Sequence, residues 1–260
     1  MLSSTEFLML TTDSQTTDSL YQGSATQQSG GPYSVSSLSG SSVIYTTGLG
    51  NNGGTETSLG TVILFTVTSS GTASVTGWQS SGGSVSAQSA SGVTFSVASS
   101  GRVTFTVQPG NNQIPIMYLV KPNKGYLLFT DGTNPNPKVE SGALKPQSAG
   151  PFSTSSLDAT LGFGTIQPDV IGIGQEVGIV MFDGAGNASG TSDKNSSGTL
   201  KPDQTFTGTY SIASNGLGVI PANCTIGTNC NNVFFLMSPT SLVMLDTSND
   251  TNPDVDIAQQ

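Results

Sequence analysis

The stretch "GVTFSVASSGRVTFTV", Gly92 to Val107, decides the fold. Val93, Phe95 and Val97 fall on one face, with Thr94 and Ser96 on the other. A turn at Ser99-Ser100-Gly101 follows, and Val103, Phe105 and Val107 resume the alternation. A period of two with a Gly-containing break is a β-hairpin. The same texture extends outward. "SSVIYTT" from Ser41, "TVILFTV" from Thr61 and "TASVTGW" from Thr72 precede it; "PIMYLV" from Pro115, "GYLLFT" from Gly125 and "KVESGAL" from Lys138 follow. That makes about eight short strands with hairpin turns, which predicts an antiparallel, up-and-down barrel. No stretch carries a helical period of useful length. The lumen of an eight-stranded barrel is nearly filled by side chains or holds one small ligand.

The pattern occurs twice. "QSGGPYSVSSL" (Gln28 to Leu38) returns as "QSAGPFSTSSL" (Gln147 to Leu157), an offset of 119 residues. "VTSSGTAS" from Val67 aligns with "FDGAGNAS" from Phe182, and "FSVASSGRV" from Phe95 with "YSIASNGLGV" from Tyr210, both at 115. "KPNK" from Lys121 aligns with "SPTS" from Ser238 at 117. Ordered anchors with slightly drifting offsets mean one scaffold with small loop insertions. The expected architecture is all-β: two tandem barrels of about eight strands, at residues 29–147 and 148–260, each long enough for its own core. Residues 1–28 read as the terminal strand pair of a preceding module. "STEFLMLTTD" matches the later "KGYLLFTDG" and "TSLVMLDTS", and "SATQQ" matches the closing "DIAQQ". Within the expected hairpin, Phe7 and Met9 share one face, and Leu8 and Leu10 the other.

Composition narrows the function. The 260 residues contain 16 acidic and 7 basic side chains, a net charge of −9, with 33 Gly and no His. No basic patch is present, which argues against nucleic acid as a partner. No apolar run reaches the roughly 18 residues of a membrane helix, and no signal peptide opens the chain. Few charges with much Ser, Thr, Gly and Asn fit an extracellular or cell-surface β protein. Cys224 and Cys230, in "NCTIGTNC", are spaced for a small disulfide loop; two Cys without His cannot complete the usual zinc ligand set. Reduction with mass spectrometry decides between bridge and free thiols.

The module signatures "GPFSTSSL", "FDGAGNASGTSD", "FTGTYSIASNGLG" and "MSPTSLVMLDT" resemble tandem repeats in secreted proteins of environmental, acidobacteria-like bacteria. Module 1 departs from them at "TVTSSGTAS", which lacks the Asp-Gly-x-Gly-Asn turn. The resemblance implies a lipocalin-like barrel repeat on a cell surface or in an extracellular fibre, and it carries no activity onto any residue.

Catalytic chemistry is poorly supplied. Without His there is no Ser/His/Asp or Cys/His arrangement, the few carboxylates lie mostly in turns, and no catalytic residue, cofactor or metal ligand is expected. "DGAGN" (Asp183 to Asn187) reads as a hairpin turn rather than a calcium loop, since the acidic ligands of such a loop are missing. "LDTSNDTNPDVD" holds Asp246, Asp250, Asp254 and Asp256 and reads as a solvated loop, with calcium as the competing reading. Asn187, Asn195, Asn223 and Asn249 begin Asn-x-Ser/Thr sequons and are candidate glycosylation positions, with glycans as candidate partners. Trp78 reads as a core or end plug of its barrel.

The expected function is structural: a subunit of an extracellular bacterial filament whose partners are copies of itself. Residues 1–28, through Phe7, Leu8, Met9 and Leu10, would be donated head to tail to a neighbour by strand complementation. The alternative is a lipocalin-like small-molecule-binding or adhesive surface protein.

Overall fold

The computed structural model describes residues 6–10, 22–52, 55–106, 113–131, 138–166, 174–196, 198–221, 232–247 and 254–260. The described residues are all-β apart from two single-turn 3-10 helices, Val35–Ser37 and Thr154–Ser156. Two antiparallel strands, β1 (Glu6–Leu10) and β2 (Gln22–Thr26), form a separate sheet in which Phe7 stands opposite Ala25 and Met9 opposite Gly23.

Eight strands then close into an antiparallel barrel: β3 (Ser41–Asn52), β4 (Thr55–Ser69), β5 (Thr72–Ser81), β6 (Ser84–Val97), β7 (Arg102–Phe105), β8 (Gln113–Lys121), β9 (Lys124–Asp131) and β10 (Lys138–Pro146). Each strand pairs with the next, and β10 returns to β3 with Pro146 opposite Ser42. The alternating residues behave as their pattern requires: Phe95 and Val103 are buried in the lumen.

The second module contains β11 (Asp158–Thr165), β12 (Gly174–Asp183), β13 (Asn187–Ser196), β14 (Thr199–Thr209), β15 (Ser211–Ile212), β16 (Leu217–Ile220), β17 (Asn232–Ser238), β18 (Ser241–Asp246) and β19 (Val255–Gln259). They form one curled nine-stranded sheet whose end strands are β14 and β15. Only Tyr210 separates these two, so the sheet returns upon itself as a second, incompletely closed barrel. The counterpart of Tyr210 is Phe95, inside the continuous β6. That strand also changes partner there, pairing with β5 before Phe95 and with β7 from Phe95 onward. The same backbone bond fixes both positions: Phe95 N–H to Gly71 O at 2.9 Å and Tyr210 N–H to Gly186 O at 2.8 Å.

The repeat extends to individual hydrogen bonds. Gln28 Nε2 donates to the carbonyls of Ser100 and Leu119, and Gln147 Nε2 to those of Asn215 and Leu236. Ser29 N–H bonds Val120 O, and Ser148 N–H bonds Met237 O. Each glutamine thereby ties the segment before a barrel to one of that barrel's own turns.

Each lumen holds its own core. Ile44, Phe65, Phe95, Met117 and Leu127 fill the first; Leu161, Phe182, Phe234, Leu236 and Leu242 fill the second. A third cluster lies between the barrels. The outer faces of β3, β4 and β10 (Val43, Tyr45, Val62, Leu64, Ala143) pack on those of β17, β18 and β19 (Val233, Phe235, Val243, Leu245, Val255). Val62, Phe235, Val243, Leu245 and Val255 are fully buried there. Each such side chain removed from water contributes about 1.5–3 kcal/mol. Trp78 packs against this cluster with its ring 6.5 Å from Phe235. It belongs to the junction between barrels and not to a barrel interior, because its place in β5 is an outward one.

Candidate functional site

The chemistry sits in a polar layer crossing each lumen at equivalent positions. In barrel 1 adjacent strands bring together Thr46 (β3), Thr61 (β4), Gln79 (β5) and Glu140 (β10). Thr46 Oγ1 and Thr61 Oγ1 donate to Glu140 Oε2 at 2.6 and 2.8 Å, and Gln79 Nε2 donates to Oε1 at 3.0 Å. Glu140 is 2% exposed. A carboxylate with two oxygens has about four acceptor sites, and the described residues use three. Among the described residues no Lys or Arg lies within ion-pair distance of it.

This carboxylate forms part of the wall of a cavity of about 210 Å³. Ile44, Ile63, Val75, Met117 and Phe129 supply apolar wall. On the side of β6 and β8 the cavity is lined by Gln88, Ser89, Thr106 and Pro115.

In barrel 2 the same four positions are Thr165, Glu176, Lys194 and Asp254, with Asp256 added where barrel 1 has Gly142. Thr165 Oγ1 donates to Asp256 Oδ1 at 2.8 Å. Lys194 Nζ stands 4.0 Å from Glu176 Oε2 and 3.9 Å from Asp254 Oδ2. Burial, with the neighbouring Asp256 charge, pushes the Asp254 carboxyl up to about 7. Burial does the same to Asp256, to about 7, against the opposing hydrogen bond from Thr165. The apolar part of this lumen is packed differently as well. Phe163 replaces Ile44 and lies over Gly178, where an added Cβ would come within 2.7 Å of its ring. Phe206 lies over Gly190 in the same way, and the two rings meet edge to face at 6.2 Å.

The acidic stretch near the C-terminus is therefore not all loop: Asp254 and Asp256 turn inward, because β19 places every second residue in the lumen. Asp250 lies outside the described residues, as do Cys224, Cys230, Asn223 and Asn249. Among the described residues no group of three or more His, Cys, Asp or Glu is arranged to hold a metal ion. The "DGAGN" segment is a turn closed on itself. Asp183 accepts from Ala185 N–H, Asn187 N–H and Asn187 Nδ2, and the Asn187 side chain is the leading cause of its lowered pKa. Asn187 and Asn195 are both exposed. Phe7, Leu8, Met9 and Leu10 form β1, and the neighbouring β2 meets barrel 1 through Thr26 Oγ1 and Tyr126 OH, 2.7 Å apart. No described helix is long and apolar enough to cross a membrane.

No protein-family model and no curated protein matches the chain. Among solved structures it is similar to a protein of unknown function from the DUF3598 family of Nostoc punctiforme. That match has 11% identity over 85% of this chain and 94% of the other, with a TM-score of 0.21.

Proposed function

We propose that this chain is a structural subunit of an extracellular bacterial filament, assembled head to tail. One observation carries this reading: the two barrels join through different faces, and the counterparts of several side chains buried there are exposed. Phe235, Val243 and Leu245, buried in the junction, correspond to Tyr118, Tyr126 and Leu128 of barrel 1, which are 49%, 38% and 38% exposed. Val62 and Leu64, also buried, correspond to Val177 and Ile179 of barrel 2, 60% and 57% exposed. A contact between unlike faces need not close, so its repetition generates a filament. The bare faces also compensate in volume. Tyr45 and Trp78 become Gly164 and Asp193 on one face, while Phe235 and Val243 become Tyr118 and Tyr126 on the other.

The N-terminal hairpin belongs to this junction. It holds the ground on Tyr126 that a neighbour's β18 and β19 would take in the same geometry, so it must yield that ground. Strand addition to a neighbouring subunit is the contact this reading assigns to the hairpin. The resemblance to surface repeats and the low charge support an extracellular location, with exposed Asn187 and Asn195 as candidate glycan positions.

Negative-stain microscopy over a concentration series tests the reading. Filaments are expected for the intact chain, and they should be lost on deleting residues 1–28 and in Ile179→Asp. A chain that stays monomeric at every concentration overturns it. A second reading, a small-molecule-binding or adhesive surface protein, is favoured by the barrel 1 cavity. Native mass spectrometry for a co-purifying small molecule tests that one.

A further inference from the structure

The two polar layers differ at one decisive position. In barrel 2 the carboxylates share the lumen with the ammonium of Lys194. In barrel 1 the same position is Gln79, a neutral amide that satisfies one oxygen of Glu140 without balancing its charge. A buried carboxylate is tolerated when it is paired or fully hydrogen-bonded; among the described residues Glu140 has three donors for about four acceptor sites. The apolar space beside it differs in parallel. The rings that fill barrel 2, Phe163 and Phe206, correspond to Ile44 and Ala90, and both of these line the barrel 1 cavity. Among the described residues, barrel 1 has neither the cation nor these two rings at adjoining positions, and its own rings Phe65, Phe105 and Phe129 stand elsewhere on the cavity wall.

We propose that the lumen of barrel 1 binds a small primary amine with an apolar body, its ammonium on Glu140 and its hydrocarbon between Ile44, Ile63, Val75 and Phe129. The size is bounded by the cavity. An apolar cavity of about 150 Å³ holds benzene, so 210 Å³ takes a benzene ring with a one- or two-atom aminoalkyl arm. Specificity follows from charge: a neutral alcohol of the same shape replaces water at Glu140 without compensating the carboxylate, and a carboxylic acid is repelled. The inference does not rest on filament assembly, since Glu140, its donors and the cavity play no part in that reading.

Isothermal titration of the intact protein with benzylamine, benzyl alcohol and benzoate tests it. Benzylamine should bind at one site, at least about tenfold tighter than benzyl alcohol, as expected when a charge-assisted hydrogen bond is gained, and benzoate should give no heat. Gln79→Lys, which installs the barrel 2 cation, should abolish benzylamine binding while raising the melting temperature. Ala90→Phe, which installs the barrel 2 ring, should abolish binding by filling the space. Glu140→Gln should reduce benzylamine affinity to that of the alcohol, with circular dichroism confirming the fold. Equal binding of amine and alcohol, unchanged affinity in folded Glu140→Gln, undiminished binding in Gln79→Lys, or no heat from benzylamine at all would each overturn the proposal.

Discussion

The two barrels share strand order, register and linker hydrogen bonds, yet they place their rings at different positions in the lumen. Barrel 1 gathers Phe65, Phe95 and Phe105 against one another and leaves room between Ile44, Ile63, Val75 and Ala90. Barrel 2 concentrates volume in rings and compensates with glycines: Phe163 over Gly178, Phe206 over Gly190, and Phe234 over Gly218 where barrel 1 pairs Met117 with Val103. The polar layers diverge in the same sense, one carboxylate held by neutral donors against three carboxylates around a lysine. A single backbone scaffold therefore accepts two packing solutions, provided each large residue faces a small one. The ring-over-glycine solution is the less forgiving, because neither partner can change alone.

The largest test of that asymmetry is Phe234→Ala, expected to cost about 3–5 kcal/mol as a large-to-small core change. Hydrogen exchange should show the loss confined to β11–β19. An equal loss of protection in barrel 1 would mean the barrels unfold as one unit.

Next comes pH. Asp254 and Asp256 titrate near 7 in the folded chain against an ordinary value of 3.8. A carboxyl raised on folding contributes stability that is fully present below about pH 4 and is lost as pH rises through about 7. Barrel 2 should therefore be several kcal/mol more stable at pH 4 than at pH 8. The double change Asp254→Asn with Asp256→Asn should flatten the profile. Urea unfolding at a series of pH values reads this directly, and a rise in barrel 2 stability from pH 4 to pH 8 would refute the assignment.

Smaller is Gly190→Val, which gives barrel 2 the residue that barrel 1 carries at Val75. Its side chain meets the backbone oxygen of Ile179 as well as the Phe206 ring, and overpacking of this kind costs about 1–3 kcal/mol. Combining it with Phe206→Ala should recover part of the loss. The smallest effect is expected for Lys194→Gln. That side chain is 38% exposed, so stability at pH 7 should fall by less than about 1 kcal/mol. The two aspartates should then titrate at still higher pH.

The strands of module 1 are legible in the sequence because the lumen and junction faces are both apolar or both regular, as in "TVILFTV". Parts of module 2 are not. β13 and β14 run through "NASGTSDKNSSGTLKPDQ", whose Gly, Asn, Asp and Pro content reads as loop; pairing with β12 overrides local propensity. The polar layer is invisible for another reason. Thr46, Thr61 and Gln79 look like the general Ser/Thr/Gln background until register sets them side by side, and Glu140 is separated from them by at least 61 residues. Aligning the modules position by position could have revealed it, since Gln79 against Lys194 and Thr61 against Glu176 are changes in kind at inward positions. Trp78 was legible as buried, but not as facing a second barrel.

The pairing of Ser42 with Pro146 has a mechanical consequence. The chain enters and leaves barrel 1 on adjacent strands, one interstrand spacing of about 5 Å apart. Tension along the chain would pass across that single spacing and would peel β10 from β3 one hydrogen bond at a time, a weak zipper geometry. The bonds of Gln28 and Gln147 to turns of the following barrels carry load around the zipper. An array of such barrels would yield first at its glutamine clamps, and each barrel would remain folded as a shock-absorbing reserve until its clamp gave way.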